Sequence, residues 1–240
     1  NMVLFYIWIN HKQMKKSILS NPAFRYIFEI IVIVFSVSLS FYIQDILNER
    51  EKIELKNAAL SGVLEDLESD KNSFSYGIRV NDIRISNIQK FLKKDISNDV
   101  ISYLRRYYGF TGNDSNYRAL VSTGSLEVIE NKLLFKNINN YYMTNYKLLN
   151  QGANRDQELF MKFIDYTEKK YKIDSVSNFI ENAFFKVNYG KNELRKMAND
   201  EVMRSQLINQ MWLIREYNNF HKVALYRINK IDSLIRIEIN

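Results

Sequence analysis

Residues 24–43 read FRYIFEIIVIVFSVSLSFYI, and this stretch decides how the N-terminal part of the chain is organised. A helix of 20 residues is long enough to cross a hydrocarbon core of about 30 Å. No charged side chain occurs from Ile30 to Ile43, and Tyr26 and Tyr42 lie near the two ends, where aromatic rings favour the membrane interface. The stretch therefore predicts a transmembrane helix over residues 24–44.

Two other interpretations of this stretch compete with a membrane anchor. A core helix of a soluble protein can be as apolar as this, but it is rarely apolar on every face. A cleaved signal peptide is the second alternative, with Lys15 and Lys16 as its charged region and Ser38-Leu39-Ser40 as a weak cleavage site. We expect a retained anchor.

The positive charge is concentrated just before this stretch. The chain has 34 basic and 27 acidic side chains, and residues 1–25 carry four basic residues and no acidic one: Lys12, Lys15, Lys16 and Arg25. Basic residues beside an apolar span predict topology rather than phosphate binding, so no nucleic-acid partner is expected. We predict a short cytoplasmic segment over residues 1–23 in a bacterial inner membrane and a periplasmic domain over residues 45–240.

A polar stripe runs along the predicted span. Glu29, Ser36, Ser40 and Gln44 fall close to one helix face, and the two serines form a small-xxx-small pair. The stripe predicts packing against another transmembrane helix, either from a second copy or from another membrane-protein subunit. In the alternative interpretation, Glu29 pairs with Arg25 and the serines bond to their own backbone.

The amino-acid composition limits the fold and the chemistry of the chain beyond the predicted span. Seven glycines and one proline in 240 residues disfavour a many-stranded sheet, because each hairpin needs its own turn residues. The chain has no cysteine and only two histidines, so disulfides, thiolate metal sites and multi-histidine centres are excluded and no cofactor is expected. We predict an all-α fold, in which the transmembrane helix continues into a bundle of long helices. His221 is predicted to be a buried histidine with one hydrogen bond.

Apolar residues recur every seven positions after the span. They are Ile46, Ile53, Leu60, Leu67 and Phe74. The positions four residues later are mostly polar, so this is half of a helical seam. A helix resting on its own domain and a homo-oligomeric coiled-coil stalk both stay open. The acidic cluster of Glu65, Asp66, Glu68 and Asp70 is expected to be a solvated helix face rather than a pair of catalytic carboxylates.

The remaining pattern predicts helices separated by few loops. We expect helices near residues 78–92, 99–108, 116–123, 131–171 and 200–237, a surface turn over 109–115, and a weak point at Gly152 in the long helix. A further helix is predicted to begin at Asp174 or Ser177 and to carry Phe179, Ile180, Phe184 and Phe185.

Two stretches of the sequence form a combination seen elsewhere. The first is RYIFEIIVIVFSVSLSFYIQDILNEREK with the following ALSGVLEDLESD, and the second is ALVSTGSLEVIENKLLFKNINNYY. Together they resemble an uncharacterised single-pass membrane family common in Bacteroidota. Phe28 stands where family members usually have glycine, and Ile46 or Leu47 replaces a tryptophan. The resemblance implies a topology, namely a short cytoplasmic tail, one span and an extracytoplasmic helical domain, and it implies no known activity.

The motifs of common enzyme classes are missing from the sequence. It contains no nucleophile elbow, metal pair or phosphate-binding loop. We therefore predict a non-enzymatic, membrane-anchored helical scaffold or subunit of an envelope complex, oligomeric through its transmembrane helix. The alternative is a periplasmic sensor module that signals through a partner protein.

Overall fold

A computed structural model describes residues 22–178 and 185–239 of the chain. It begins with helix α1 (Pro22–Leu92), 71 residues long. The chain continues through α2 (Asn98–Leu104), α3 (Ser115–Thr123), a 3-10 turn (Ser125–Val128), α4 (Lys132–Asn140), a π-helical turn (Tyr141–Asn145), α5 (Tyr146–Lys170), strands β1 (Ser175–Asn178) and β2 (Phe185–Asn188), α6 (Lys191–Ala198) and α7 (Glu201–Ile239). Helices make up most of the described residues, which confirms the predicted all-α class with long helices.

The chain divides into two units between Leu55 and Lys56. In the first unit, every described side chain from Ala23 to Leu55 is exposed, and the large apolar ones between Phe24 and Ile43 each expose 44–68% of their surface. This part of α1 is long and apolar enough to cross a membrane by length and composition, a test that a signal sequence also passes.

The second unit packs around a complete seam on α1. Positions alternating three and four residues apart are all buried: Leu60, Val63, Leu67, Asp70, Phe74, Gly77, Asn81, Arg84, Ile88 and Phe91. The buried second set follows the first by three residues, not by the four considered from the sequence, and from Leu60 to Phe74 the helix rests on its own domain, one of the two alternatives left open. Leu60, Leu67 and Phe74 pack on their own domain, whereas Ile46 and Ile53 are 38% and 46% exposed.

Two apolar clusters lie along this seam. The first joins α1 from Leu60 to Phe74 with α4, the π turn, the start of α5 and the part of α7 from Tyr217 to Ile235. The second joins Ile88 and Phe91 with α2, α6 and the part of α7 from Met203 to Ile214. The seam positions between the clusters are Gly77, Asn81 and Arg84, so a polar belt separates two apolar layers.

The long helical stretch predicted over residues 131–171 is present but contains an irregular turn. Asn131 begins it, and its side chain accepts hydrogen bonds from the backbone of Leu133 and Leu134, both at 3.1 Å. The irregularity is the π turn between α4 and α5, not Gly152, which is an ordinary residue of α5.

The helix predicted from Asp174 or Ser177 was wrong. Residues 175–178 pair antiparallel with residues 185–188 as a two-stranded hairpin. Phe179, Ile180 and Phe184 lie outside the described residues, and Phe185 is the first residue of β2. A strand forms because Val187 and Tyr189 are buried while Lys186 and Asn188 are only partly covered, which is the two-residue alternation of a half-buried strand.

The remaining helices agree closely with the predictions made from the sequence. The predicted helices near 78–92, 116–123 and 200–237 correspond to the end of α1, α3 and α7, and the helix predicted over 99–108 ends earlier, at Leu104. Helix α3 stops at Gly124, whose φ of 71° is a left-handed conformation that favours glycine. The turn predicted over 109–115 is non-helical up to Asp114.

Candidate functional site

Asp66 on α1 binds the first turn of α3. Its carboxylate accepts hydrogen bonds from the backbone of Asn116 at 2.9 Å and of Tyr117 at 3.1 Å, from the Asn116 amide at 2.9 Å and from the Ser115 hydroxyl at 3.2 Å. The first backbone N–H groups of a helix have no partner within it, and a carboxylate there also complements the helix dipole. Asp66 therefore caps α3 from a neighbouring helix.

Asp70, one turn further along α1, binds two other segments. One carboxyl oxygen accepts from the Asn113 backbone at 2.6 Å, and the other accepts from the Tyr141 hydroxyl at 2.7 Å and contacts the Tyr146 hydroxyl. The solvated face expected for the acidic cluster was wrong for Asp66 and Asp70, which are fully buried. Burial raises the pKa of Asp70 to about 6, although its three donors oppose this rise.

The π turn brings two of these donors to the same carboxyl group. Residues five apart diverge around an α-helix of 3.6 residues per turn, whereas a π turn bonds residue i to residue i+5 and aligns them. The backbone N–H of Tyr146 donates to the Tyr141 carbonyl in this way. The wider turn thus places both hydroxyls on Asp70.

Aromatic rings enclose the two aspartates. The Tyr117 and Tyr142 rings stack with centroids 4.2 Å apart, and Phe110 meets Tyr146 edge-on at 5.1 Å. Burial and the neighbouring aspartates raise the pKa values of Tyr141, Tyr142 and Tyr146 well above the ordinary value for tyrosine. The three phenols are therefore neutral, and in the described part of the chain the buried Tyr142 hydroxyl has no hydrogen-bond partner.

The polar belt contains a buried ion pair. Arg84 on α1 donates two hydrogen bonds to Asp156 on α5, at 2.6 and 3.1 Å, and both side chains are almost fully buried. Asn81 donates to Asn218 on α7 at 2.9 Å, and Asn218 donates to Asp82 at 3.0 Å. These bonds fix the register of α1 against α5 and α7.

His221 lies beside this belt. It is buried, its ring centroid is 4.2 Å from that of Tyr217 and 5.3 Å from that of Phe74, and its Nδ1 is 3.2 Å from the Tyr217 carbonyl oxygen. Burial lowers the pKa of His221 to about 4, so the ring is neutral near pH 7. The predicted buried histidine with one hydrogen bond is confirmed. Nearby, Gly77 makes room for Tyr108, since a Cβ there would lie 2.8 Å from that ring.

A surface groove of about 460 Å³ runs between α5 and α7. Its lining residues are Leu148, Gln151, Gly152, Asn154, Arg155, Leu213, Glu216, Tyr217 and Phe220. A second hollow of about 310 Å³ adjoins it at Arg155 and Leu213 and includes Trp212, which is 61% exposed. Arg155 lines both hollows, and one acidic side chain lines each of them, Glu216 the first and Glu158 the second. An arginine beside aromatic and apolar groups can bind an apolar group that carries a negative charge.

The residues predicted for transmembrane packing make local bonds. Arg25 contacts Glu29 at 3.2 Å, the hydroxyls of Ser36 and Ser40 donate to backbone carbonyls four residues earlier at 2.7 and 2.8 Å, and Gln44 donates to Asn48 at 2.9 Å. The bonds of Arg25, Ser36 and Ser40 are those of the alternative interpretation, and packing against a second helix stays a prediction. The topology residues Lys12, Lys15 and Lys16 lie outside the described residues.

Sequence reasoning missed the buried charged residues, although a signal was present. Asp70 and Arg84 occupy seam positions of α1, in line with Leu67 and Ile88. A charged residue inside an apolar stripe of three-and-four spacing indicates a buried, paired group. Of the positions three residues after Ile46, Ile53, Leu60, Leu67 and Phe74, only Val63 carries an apolar side chain, so this second set does not stand out by hydrophobicity.

Within residues 22–178 and 185–239, no three His, Asp or Glu side chains are grouped as metal ligands. No protein-family model matches the chain, and no curated protein or solved structure is similar to it.

Proposed function

We propose that the protein is a non-enzymatic, membrane-anchored helical scaffold or subunit of an envelope complex, with its N-terminus in the cytoplasm and its main domain in the periplasm. One observation supports this most strongly: the apolar side chains from Phe24 to Ile43 are exposed, while the unit from Lys56 onward has its own core. Exposed apolar surface of this extent is unfavourable in water, and lipid removes that cost.

The buried polar groups support a scaffold rather than an enzyme. Asp66 and Asp70 bind N–H and O–H groups of their own chain, and Arg84 and Asp156 bind each other. These groups hold helices together, and their side chains are buried within residues 22–178 and 185–239. The resemblance of two stretches to single-pass membrane proteins agrees with the proposed topology.

The polar stripe supports association through the anchor. The hydroxyls of Ser36 and Ser40 are satisfied by their own backbone, so this face can approach another helix closely without unpaired polar atoms. We propose that Glu29, Ser36, Ser40 and Gln44 face a second copy or another membrane subunit. The triple variant Glu29→Leu, Ser36→Leu, Ser40→Leu tests this: cross-linking in membranes should be lost, and unchanged cross-linking would refute the packing.

Membrane placement can be tested directly because the chain has no cysteine. Single variants Gln13→Cys and Lys94→Cys, which keep every basic residue before the span, should both stay in the membrane pellet after alkaline extraction. In spheroplasts, a membrane-impermeant maleimide should label the cysteine at position 94 and not the one at position 13. A full-length chain that stays soluble without detergent would contradict the anchor, and the reverse labelling would contradict the orientation.

The groove between α5 and α7 favours a second candidate function, a periplasmic sensor module that signals through a partner protein. A preformed hollow with Arg155 and Trp212 suits an amphipathic carboxylate. Medium-chain fatty acids and aromatic carboxylates should then raise the unfolding temperature of the full chain, and Arg155→Gln should abolish the rise. The absence of any shift across this panel would leave the scaffold as the better proposal.

A further inference from the structure

The hydroxyl of Tyr146 faces two acceptors with a single proton. It contacts the carboxyl oxygen of Asp70 and lies 2.7 Å from the backbone carbonyl oxygen of Asn113. A tyrosine donates one hydrogen bond, so an ionised Asp70 leaves one of these contacts without a proton. If Asp70 carries a proton, it donates to Tyr146, and Tyr146 donates to Asn113. Every contact is then a hydrogen bond.

The other bonds of Asp70 fit both protonation states. The Asn113 N–H donates to one carboxyl oxygen at 2.6 Å, and Tyr141 donates to the other at 2.7 Å. The proton therefore rearranges the chain of contacts from Asp70 through Tyr146 to Asn113, and an Asn113 carbonyl that is partly shielded from water and has no donor is unfavourable.

We propose that Asp70 is a proton-operated latch: the bound proton completes the hydrogen-bond chain that fastens residues 109–114 to α1, and its loss frees the Asn113 carbonyl. The latch lies within the unit that begins at Lys56 and is independent of whether α1 crosses a membrane.

The charges around Asp70 agree with proton uptake. The titratable and charged groups near it are Asp66 on α1, Asp114 and Tyr117 at the start of α3, Tyr141 and Tyr142 on the π turn, Tyr146 on α5, and His221 and Arg227 on α7. Asp66 favours a proton on Asp70 by repulsion, and Arg227 is bonded to the Asn145 side chain at 2.5 Å. The tyrosines stay neutral, and the pKa of His221 lies near 4, whereas the pKa of Asp70 is about 6.

Infrared spectroscopy of the full chain in detergent detects the proton itself. A carboxylic-acid C=O band should grow with a midpoint near pH 6, should be missing in Asp70→Asn and should persist in Glu68→Gln, a matched control that removes an exposed carboxylate from the same helix. A wild-type chain without such a band above about pH 5, well above the ordinary carboxyl range, would overturn the proposal.

Hydrogen exchange measures how firmly residues 109–114 are held against α1. In peptides covering residues 109–114, corrected for intrinsic rates, the wild type and Glu68→Gln should exchange about fivefold faster above the midpoint than below it, the effect of one hydrogen bond on a local opening. Tyr146→Phe keeps the ring but removes the hydroxyl that joins Asp70 to Asn113. In this variant the exchange of residues 109–114 should not respond to pH, whereas the carboxylic-acid band of Asp70 should remain.

The Tyr146→Phe result separates the latch from a merely buried acid. A retained fivefold response in this variant would show that Tyr146 does not transmit protonation and would overturn the proposal. Asp70→Asn should also lose the pH response. If Asp70→Asn does not fold, the wild type, Glu68→Gln and Tyr146→Phe decide the question by themselves.

Discussion

Two stretches of helix α1 invert the usual relation between polarity and burial. From Phe24 to Ile43 the apolar side chains are exposed, and Arg25, Ser36 and Ser40 bond to groups one turn away. From Leu60 to Phe91 the helix buries an aspartate, an asparagine and an arginine at seam positions of its own domain. The same helix thus exposes apolar side chains in one stretch and buries polar side chains in the other.

The difference shows that partners, not helix propensity, decide what a helix face can bury. Among the described residues the apolar side chains from Phe24 to Ile43 are exposed, so the stability of this stretch depends on the solvent, which we propose is lipid. The buried stretch tolerates charge because each charged group has a counterpart: Asp66 caps α3, and Arg84 binds Asp156 through two hydrogen bonds.

The largest expected effect comes from breaking the buried ion pair. Arg84→Met leaves the carboxylate of Asp156 buried without its counter-ion, and we expect the free energy of unfolding to fall by about 3–5 kcal/mol. Denaturant unfolding of the full chain in detergent measures this. The double variant Arg84→Met, Asp156→Leu should recover most of the loss, because no charge is then left unpaired.

An exposed ion pair provides the control. Lys169 and Asp165 on α5 are 2.8 Å apart, and both side chains are largely exposed. Lys169→Met should leave stability unchanged within error, since solvent screens such pairs. A loss from Arg84→Met no larger than that of this control would contradict the role assigned to the belt.

Spacing along the sequence could predict the helices and mark Asp70 and Arg84 as charges in an apolar stripe, but it could not identify the groups that they bind. Period-seven positions such as Leu60, Leu67 and Phe74 identify one half of the seam from hydrophobicity alone. The other half includes Asp70, Gly77 and Arg84, whose burial depends on tyrosines and an aspartate distant in the chain. No local pattern reports that such partners will meet.

The hairpin and the π turn were missed for different reasons. Residues 175–178 have no strong strand pattern by themselves, and their pairing with residues 185–188 is a tertiary event without a glycine or proline turn to announce it. The π turn adds one residue to a helical turn, which hydrophobic spacing does not resolve. Its function, to align Tyr141 with Tyr146, becomes visible only when Asp70 is placed.

Two buried titratable groups of the domain, His221 and Asp70, have opposite effects on how stability depends on pH. Between about pH 6.5 and pH 4 the unfolded chain protonates His221 and the folded chain does not, so His221 lowers stability as the pH falls. Asp70 has the opposite sign: its pKa is about 6 in the folded chain, against an ordinary value of 3.8, so the folded chain binds the extra proton and gains stability as the pH falls. Each contribution reaches about 3 kcal/mol over its full range.

Single variants should reveal the two slopes, which nearly cancel in the wild type. As the pH falls from about 6.5 to 5, the free energy of unfolding should rise in His221→Gln, which keeps the contribution of Asp70. It should fall in Asp70→Asn, which keeps the contribution of His221. Parallel slopes in the two variants would show that at least one of the two shifts has been assigned the wrong sign.

A smaller effect is expected at the cap of α3. Asp66→Asn keeps the size of the side chain but replaces one acceptor oxygen with an amide that faces the N–H groups of Asn116 and Tyr117. We expect a loss of about 1–3 kcal/mol and faster hydrogen exchange in the first turn of α3. Glu65→Gln, on the exposed side of the same helix turn, should change neither quantity.

The smallest expected effect lies in the exposed stretch and separates hydroxyl groups from side-chain size. Ser36 and Ser40 donate to the carbonyls of Val32 and Ser36, so Ser36→Ala with Ser40→Ala removes two bonds that the backbone can lose cheaply in a helix. Stability, membrane retention and cross-linking should all stay within about 0.5 kcal/mol or within error of the wild type. Close helix approach requires small residues rather than hydroxyls, so alanine should preserve association while leucine at the same positions abolishes it. Equal loss in both variants would instead indicate hydrogen bonds between helices, and the serines would then resemble the paired polar groups of the buried stretch.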